Sequence, residues 1–342
     1  MNNEIDLKKY DIHTDLVLET IENKKINIKK NTHEVDNIKV TSVTIDKETS
    51  LLTNKKEGNY ITIEFDDVTD TSNRKKVIKV FTEELNKLLR NYDKSSLLIV
   101  GLGNKESTPD SLGPKSLEDI LVTRHLYLLN EQVEENILMT SKISPGVMAD
   151  TGIETLDIIS GVAKNIRPTL IIVIDALSAS SISRINKSIQ LTDTGIHPGS
   201  GIGNMRKEIS NTTIGIPVLA VGIPTVVSSS IIVYDTIDYL FKHISYIKDN
   251  ESKNKLIFKR YNYINKIKDK DLTDEEKKEV MGLMGELSNT DRIKLINEVL
   301  NSLNYNFIVT PKEIDFQIDK LSQVISTSIN NIIYNQKSVK KK

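Results

Sequence analysis

The chain contains no cysteine among its 342 residues and no tryptophan. The first absence excludes disulfides, thiolate zinc sites, iron–sulfur clusters and any cysteine nucleophile. A charge excess is also missing: 46 basic residues face 47 acidic ones, for a formal net charge of -1. With neither a polybasic arm nor an acidic tail, no direct nucleic-acid partner is expected. Met1 to Tyr10 carries Glu4, Asp6, Lys8 and Lys9 and no apolar core, so no secretory signal is read there and a cytoplasmic location is expected. Long apolar runs are scarce. The uncharged stretch Ile209 to Tyr234 is interrupted by Gly215, Pro217, Gly222 and Pro224, and reads as a buried strand, a loop and a helix start, not a membrane span. Several catalytic motifs are incomplete. His33-Glu34 opens His-Glu-x-x-His, but Asn37 stands where the second histidine belongs. No Gly-x-Ser-x-Gly elbow and no Walker A loop occur. Gly101-Leu102-Gly103 and Gly201-Ile202-Gly203 lack the third glycine of a dinucleotide fingerprint, with Glu106 and Arg206 in its place.

What is present has an α/β rhythm. Residues 1 to about 15 are polar and read as a leader. Ile38 to Ile45 and Asn59 to Phe65 alternate apolar with polar residues, as half-buried strands of a small antiparallel layer do. Val77, Val80, Phe81, Leu85, Leu88 and Leu89 recur at helical spacing within Arg74 to Asn91. Ser96 to Val100 and Leu170 to Ile174 are short apolar runs of the kind found in parallel strands buried on both faces. Helices are predicted over Leu117 to Leu129 and Glu154 to Lys164, with a strand at Ile137 to Met139. The expected architecture is a mostly parallel twisted sheet flanked by helices, with an α/β core over about 74–248. A helical C-terminal part follows over about 249–342, its last helix striped by Ile314, Ile318, Leu321, Ile325 and Ile329.

Two apolar strands end in polar segments that offer carboxylates: Gly101-Leu102-Gly103-Asn104 leading to Asp110, and Ile174 followed by Asp175. In an open parallel sheet, ligands bind beyond the carboxyl ends of the strands, so the two aspartates can face one crevice. Asp175 follows five aliphatic residues, and burial raises a carboxyl pKa. Two close carboxyls would share a proton, one acting as base and the other as acid. The alternative is structural, with Asp110 as a helix N-cap and Asp175 as a strand-end cap. A competing pair, Asp150-Thr151-Gly152 and Asp193-Thr194-Gly195, spells the Asp-Thr-Gly of pepsin-like proteases, but those need two all-β lobes. The loop Thr194 to Asn204, with His197, Gly199, Ser200, Gly201 and Gly203, permits close backbone approach to a ligand or peptide. His125, on an apolar-faced helix, reads as structural.

Taken together, Gly101 to Asn104, Thr108 to Pro114, Leu121 to Leu126, Pro145 to Met148, Ile174 to Leu177 and Asp193 to Asn204 resemble the germination proteases of spore-forming bacteria. The resemblance implies an atypical aspartic endopeptidase, with Asp110 and Asp175 as catalytic aspartates and no metal or cofactor. It implies a fold similar to hydrogenase-maturation proteases, a homotetramer in the spore core, and small acid-soluble spore proteins as substrates. Gly101, Gly103, Asn104, His197, Gly199, Ser200 and Gly201 would line the substrate. It also implies a zymogen activated by removal of a short N-terminal segment. Thr14-Asp15-Leu16-Val17-Leu18-Glu19 is similar to the Thr-Glu-(apolar)-Ala-(small)-Glu sequence cut in family substrates, which places the expected cut between Asp15 and Leu16. The chain then divides into a propeptide, 1–15, and a peptidase domain, 16–342. Val17 and Leu18 depart from that pattern. Two rivals stand beside this reading: a metal-dependent maturation-type endopeptidase on the same fold, and a non-enzymatic glycine-loop binding module.

Overall fold

The computed structural model describes residues 14–129, 131, 137–202, 206–250 and 270–334. The described residues of segments 13–179, 183–226 and 310–342 form one compact unit, and those of 180–182 and 227–309 form another.

In the larger unit, eight strands lie in the order β1 (Lys30–Val35), β2 (Ile38–Ile45), β3 (Gly58–Glu64), β7 (Ser188–Thr192), β8 (Val218–Ser228), β6 (Leu170–Ala179), β4 (Ser96–Gly101) and β5 (Met139–Ile143). At one end of this order, β4 runs parallel to both of its neighbours, the edge strand β5 and β6. The predicted antiparallel strands are present in the same sheet, because β3 bonds β7 and β7 bonds β8, both antiparallel.

Both faces of the central strands are covered, which is why they are apolar throughout. Leu97, Ile99, Ile172 and Ile174 share one buried cluster with Val77, Phe81 and Leu85 of α3 (Thr71–Leu89) and with the C-terminal helix Ile314–Ile333. Leu98, Val100, Ile171 and Val173 point the other way, onto Ile159 and Ala163 of α7 (Thr155–Ile166). This is the period-2 rule applied to a strand buried on two sides. All five residues of the C-terminal stripe are buried. That helix therefore belongs with the α/β core, not with a separate helical C-terminal block. Shorter helices are α1 (Val17–Asn23), α2 (Lys47–Thr53), α4 (Leu112–Glu118), α5 (Arg124–Leu128), α6 (Met148–Thr151) and α8 (Asn211–Ile214).

In the smaller unit, α9 (Ser229–Asn250) precedes helices Asp274–Met281, Leu283–Glu286 and Asn289–Ser302, and Val227–Ser228 pair with β9 (Ile308–Val309). Buried Arg292 lies 5.3 Å from the ring centroid of buried Phe241. Its guanidinium donates to the carbonyls of Met284 and Leu287, which satisfies the buried charge. Among the described residues, no helix is long and apolar enough to cross a membrane.

Four local expectations need correction. Leu117 to Leu129 is not one helix, because the chain leaves helical geometry between α4 and α5. There the Leu121 N–H donates to Asn330 Oδ1 and the Thr123 N–H to the Thr140 carbonyl, so tertiary partners outweigh the helical period. The strand predicted at Ile137 to Met139 begins only at Met139. The uncharged stretch opens with a short helix, Asn211–Ile214, and its strand, Val218–Ser228, passes directly into the helix that begins at Ser229, without the expected loop. Asp175 is not at the end of its strand, because β6 continues to Ala179.

Candidate active site

The extension of β6 beyond its partner creates the site. The last β4–β6 partners are Gly101 and Ile174, after which the Leu102 N–H still donates to the Ile174 carbonyl at 2.8 Å. Backbone groups of a strand alternate sides, so Ser178 presents its N–H and C=O on the side where Ile174 met β4. That edge is taken by the chain's own N-terminal segment. The Asp15 N–H donates to the Ser178 carbonyl at 3.0 Å. In return the Ser178 N–H donates to Asp15 Oδ2 at 2.9 Å.

Asp110 reaches the same crevice through a turn built on glycine. A Cβ on Gly113 would lie 2.2 Å from the Leu102 carbonyl oxygen, and one on Gly101 2.5 Å from that of Gly113. The start of α4 and the end of β4 are thus in backbone contact. Gly103, at φ +111°, brings the chain so near the Asp110 carbonyl that a Cβ would sit 1.9 Å from its oxygen. Within this turn, the Asn104 N–H donates to Asp110 Oδ2 at 2.8 Å, and Thr225 Oγ1 donates to the Pro109 carbonyl at 2.7 Å. Neither aspartate is the cap that the structural alternative requires. Ser111 occupies the N-cap position of α4, and Asp110 instead bonds backwards to Asn104. Asp175 is buried in mid-strand, with the N–H of Ala176 donating to its Oδ1 at 3.0 Å.

Electrostatics couple the groups. Burial holds the Asp175 carboxyl well above the usual carboxylate range, and the negative charges of Asp110 and Asp15 push it further up. Burial also raises Asp110, against the Asn104 N–H and the charge of Arg206, which lower it. The site therefore favours a protonated Asp175 beside a more readily ionised Asp110.

The segment Thr14 to Leu16 is held at nearly every polar atom. Asp15 Oδ1 accepts from Ser200 Oγ at 2.6 Å. Gly201 leaves room for this carboxylate, since a Cβ there would lie 2.3 Å from Oδ2. The Asp15 carbonyl accepts from Gln190 Nε2 at 3.2 Å and from Lys55 Nζ at 3.3 Å. Lys55 also donates to the Thr14 carbonyl at 2.8 Å. Extended geometry stops at Leu16, however. Val17 begins α1, which buries Val17 and Ile21 against Val43, Ile45 and Tyr60. The apolar pair four residues apart favours a helix over an extended strand, so only part of Thr14 to Glu19 lies extended. Glu19 is buried, accepts from Thr14 Oγ1 and lies 3.7 Å from Arg184.

The glycine-loop residues separate into two groups. Ser200 and Gly201 meet Asp15, whereas His197 is exposed and paired with Glu208 at 3.5 Å, and Gly199, at φ +74°, shapes the turn between them. Asp150 is exposed on α6. Asp193 accepts from the Asn59 N–H and side-chain amide at 2.8 and 2.7 Å, tying β3 to its neighbour. Neither Asp-Thr-Gly triplet enters the crevice, and His125 is exposed. Lys55, Ser178, Arg184 and Gln190 escape sequence reasoning. Gln190 carries the weak signal of a polar residue alternating with Ile189 and Leu191, but only the fold reveals that this second face is also buried.

Gly201 gives a direct test of the carboxylate pocket. Gly201→Ala should expel the Asp15 carboxylate and lower the rate of any cleavage after Asp15 by up to about 10²-fold, the order expected when a positioned group is displaced by 1 Å. A mass-spectrometric time course measures it; an unchanged rate would mean that the pocket does not hold the cleaved residue.

Comparison with known proteins identifies the family. The family described as Germination protease matches residues 7–342. A germination protease of Bacillus velezensis is 43% identical over 358 residues, covering 98% of this chain and 97% of that protein. The germination protease of Bacillus subtilis strain 168 is 41% identical over 359 residues, covering 99% and 98%. A solved [NiFe] hydrogenase maturation protease, HycI from Thermococcus kodakarensis KOD1, covers 42% of this chain and 80% of its own at 15% identity and a TM-score of 0.26, too remote to argue from. An identity above 40% across nearly the whole of both chains makes this chain a peptidase of the germination protease family.

Proposed function

We propose that the chain is an aspartic endopeptidase in which Asp110 and Asp175 activate a water between them, and that it is made as a zymogen cut between Asp15 and Leu16. The observation that carries this reading is the seating of Asp15. Its carboxylate, N–H and carbonyl are each bound, at the edge of the strand that carries Asp175 and within the electrostatic reach of that residue. Ionised Asp110 takes a proton from water as the oxygen attacks the Asp15 carbonyl carbon. Asp175 gives its proton to the Leu16 nitrogen as the C–N bond breaks. The dyad ends with the proton on the opposite carboxyl, and exchange with solvent resets it.

Substrates in trans are small acid-soluble spore proteins, as the family resemblance implies, bound where Thr14 and Asp15 lie before the cut. Ser178 and Ser200 would receive the acidic residue before the cut, as they hold Asp15 here. The working protein is a homotetramer in the spore core. N-terminal mapping of the full-length chain and of each aspartate variant tests the assignment.

The metal-dependent rival requires a Lewis acid, whereas two carboxylates suffice without one, so on the proposed reading cleavage of a spore-protein peptide should continue at an unchanged rate in excess chelator. Loss of activity restored by one divalent metal would favour the rival.

A further inference from the structure

We infer that Lys55 and Gln190 are catalytic residues that together receive the oxygen of the scissile carbonyl. The inference rests on the proposed cut between Asp15 and Leu16. Gln190 sits on β7 with its side chain buried, and its amide touches both sides of Leu16. Nε2 donates to the Asp15 carbonyl at 3.2 Å, and Oε1 accepts from the Val17 N–H at 2.8 Å. The second contact fixes the orientation of the amide, because only an acceptor can face the Val17 N–H; the donor must then face the carbonyl. Lys55 follows Asn54, which ends α2 in the left-handed conformation at φ 57° and turns the chain toward the N-terminal segment. Its ammonium donates to the Thr14 and Asp15 carbonyls at 2.8 and 3.3 Å.

The two contacts to the Asp15 oxygen are at the long end for a ground-state carbonyl. Attack by water opens the C=O double bond and leaves a full negative charge on that oxygen, which would draw both donors closer. A cation and an amide fixed before the reaction stabilise this charge more than they stabilise the carbonyl, which is what lowers a barrier. Burial also depresses the Lys55 pKa, with the charges of Asp15 and Glu19 opposing that shift, so the ammonium lies where its field is weakly screened. Without such donors the dyad could deliver and collect protons, but the oxyanion would lose the two groups that bond it directly.

The test is the first-order rate of self-cleavage in full-length chains carrying Lys55→Met, Lys55→Arg or Gln190→Glu. Amide exchange at Asp15 and Val17, measured in the Asp175→Asn background, reports separately whether the segment stays docked. Gln190→Glu keeps the acceptor for Val17 and replaces the donor to the carbonyl by a carboxylate oxygen that opposes the developing charge. It and Lys55→Met should each slow cleavage by about 10²–10³-fold, as loss of one oxyanion donor does, with exchange protection unchanged. Lys55→Arg should recover most of the rate. Wild-type rates in both donor-deleting variants would overturn the inference, as would a slowing matched by an equal loss of protection, which would make the residues anchors of the segment only. If the wild-type chain is cut elsewhere, the underlying cleavage assignment fails and the inference with it. If it is cut after Asp15 and Asp175→Asn is not, that assignment stands and the result reports on Lys55 and Gln190 alone.

Discussion

Asp175→Asn should abolish peptide cleavage and at the same time raise the thermal midpoint of the fold at neutral pH. Asparagine keeps an oxygen to accept the Ala176 N–H but has no proton to give the leaving nitrogen, so residual cleavage should be below about one-thousandth of wild type, the scale on which loss of one member of a catalytic set acts. The stability effect follows from linkage. An unfolded aspartate ionises near pH 3.9 or so, whereas in the fold burial and the charges of Asp110 and Asp15 hold Asp175 protonated to a much higher pH. Between those values the folded chain binds more protons than the unfolded one, so stability falls as pH rises through that window. Asparagine removes this slope. The gap in thermal midpoint between Asp175→Asn and wild type should widen from pH 4 upward. Asp110→Asn should also abolish cleavage, with a smaller gain because Asp110 is less buried and is helped by the Asn104 N–H and Arg206. Asp150→Asn, on an exposed residue of α6, should keep most activity. An inactive Asp150→Asn beside an active Asp175→Asn would show that the dyad is misassigned.

Gly103→Ala should be nearly as damaging to activity, through geometry instead of proton transfer. A Cβ at this position would lie 1.9 Å from the Asp110 carbonyl oxygen and 3.1 Å from Oδ1, at a φ that L side chains rarely adopt. The Asp110 turn must then move away from the end of β4, and a shift of about 1 Å in a catalytic group can cost 10²-fold in rate. Backbone strain adds a loss of about 1–3 kcal/mol in stability. Because α4 and the central strands keep their own packing, circular dichroism should still show a folded α/β protein. Full activity in this variant would mean that the turn carrying Asp110 does not position the reaction.

Two apolar parallel strands and the helices Thr71–Leu89 and Ile314–Ile333 were legible in the sequence because their signal is local. Ser96 to Val100 and Leu170 to Ile174 are apolar without alternation, and both faces are covered as that pattern requires. Asp110 and Asp175 could be read as neighbours because segments that follow adjacent apolar strands converge, and the charge of Asp110 does act on Asp175, although Asp175 lies inside its strand and not beyond it. The length of β6 was not legible, since continuation past Asp175 depends on a partner for its free edge, and that partner is the N-terminal segment more than 160 residues away. For the same reason Lys55 and Gln190 gave little sign of a role. Each is an ordinary polar residue until Asp15 is laid against it. The break between α4 and α5 is a third case, fixed by Asn330 of the distant C-terminal helix.

The most direct measurement is the intact mass and N-terminal sequence of the full-length chain after incubation, set beside those of Asp110→Asn and Asp175→Asn treated alike. The account predicts release of Met1 to Asp15 from the unaltered chain, Leu16 as the new first residue, and an uncut N-terminus in both variants. A cut at another bond, or the same cut in either variant, would contradict it.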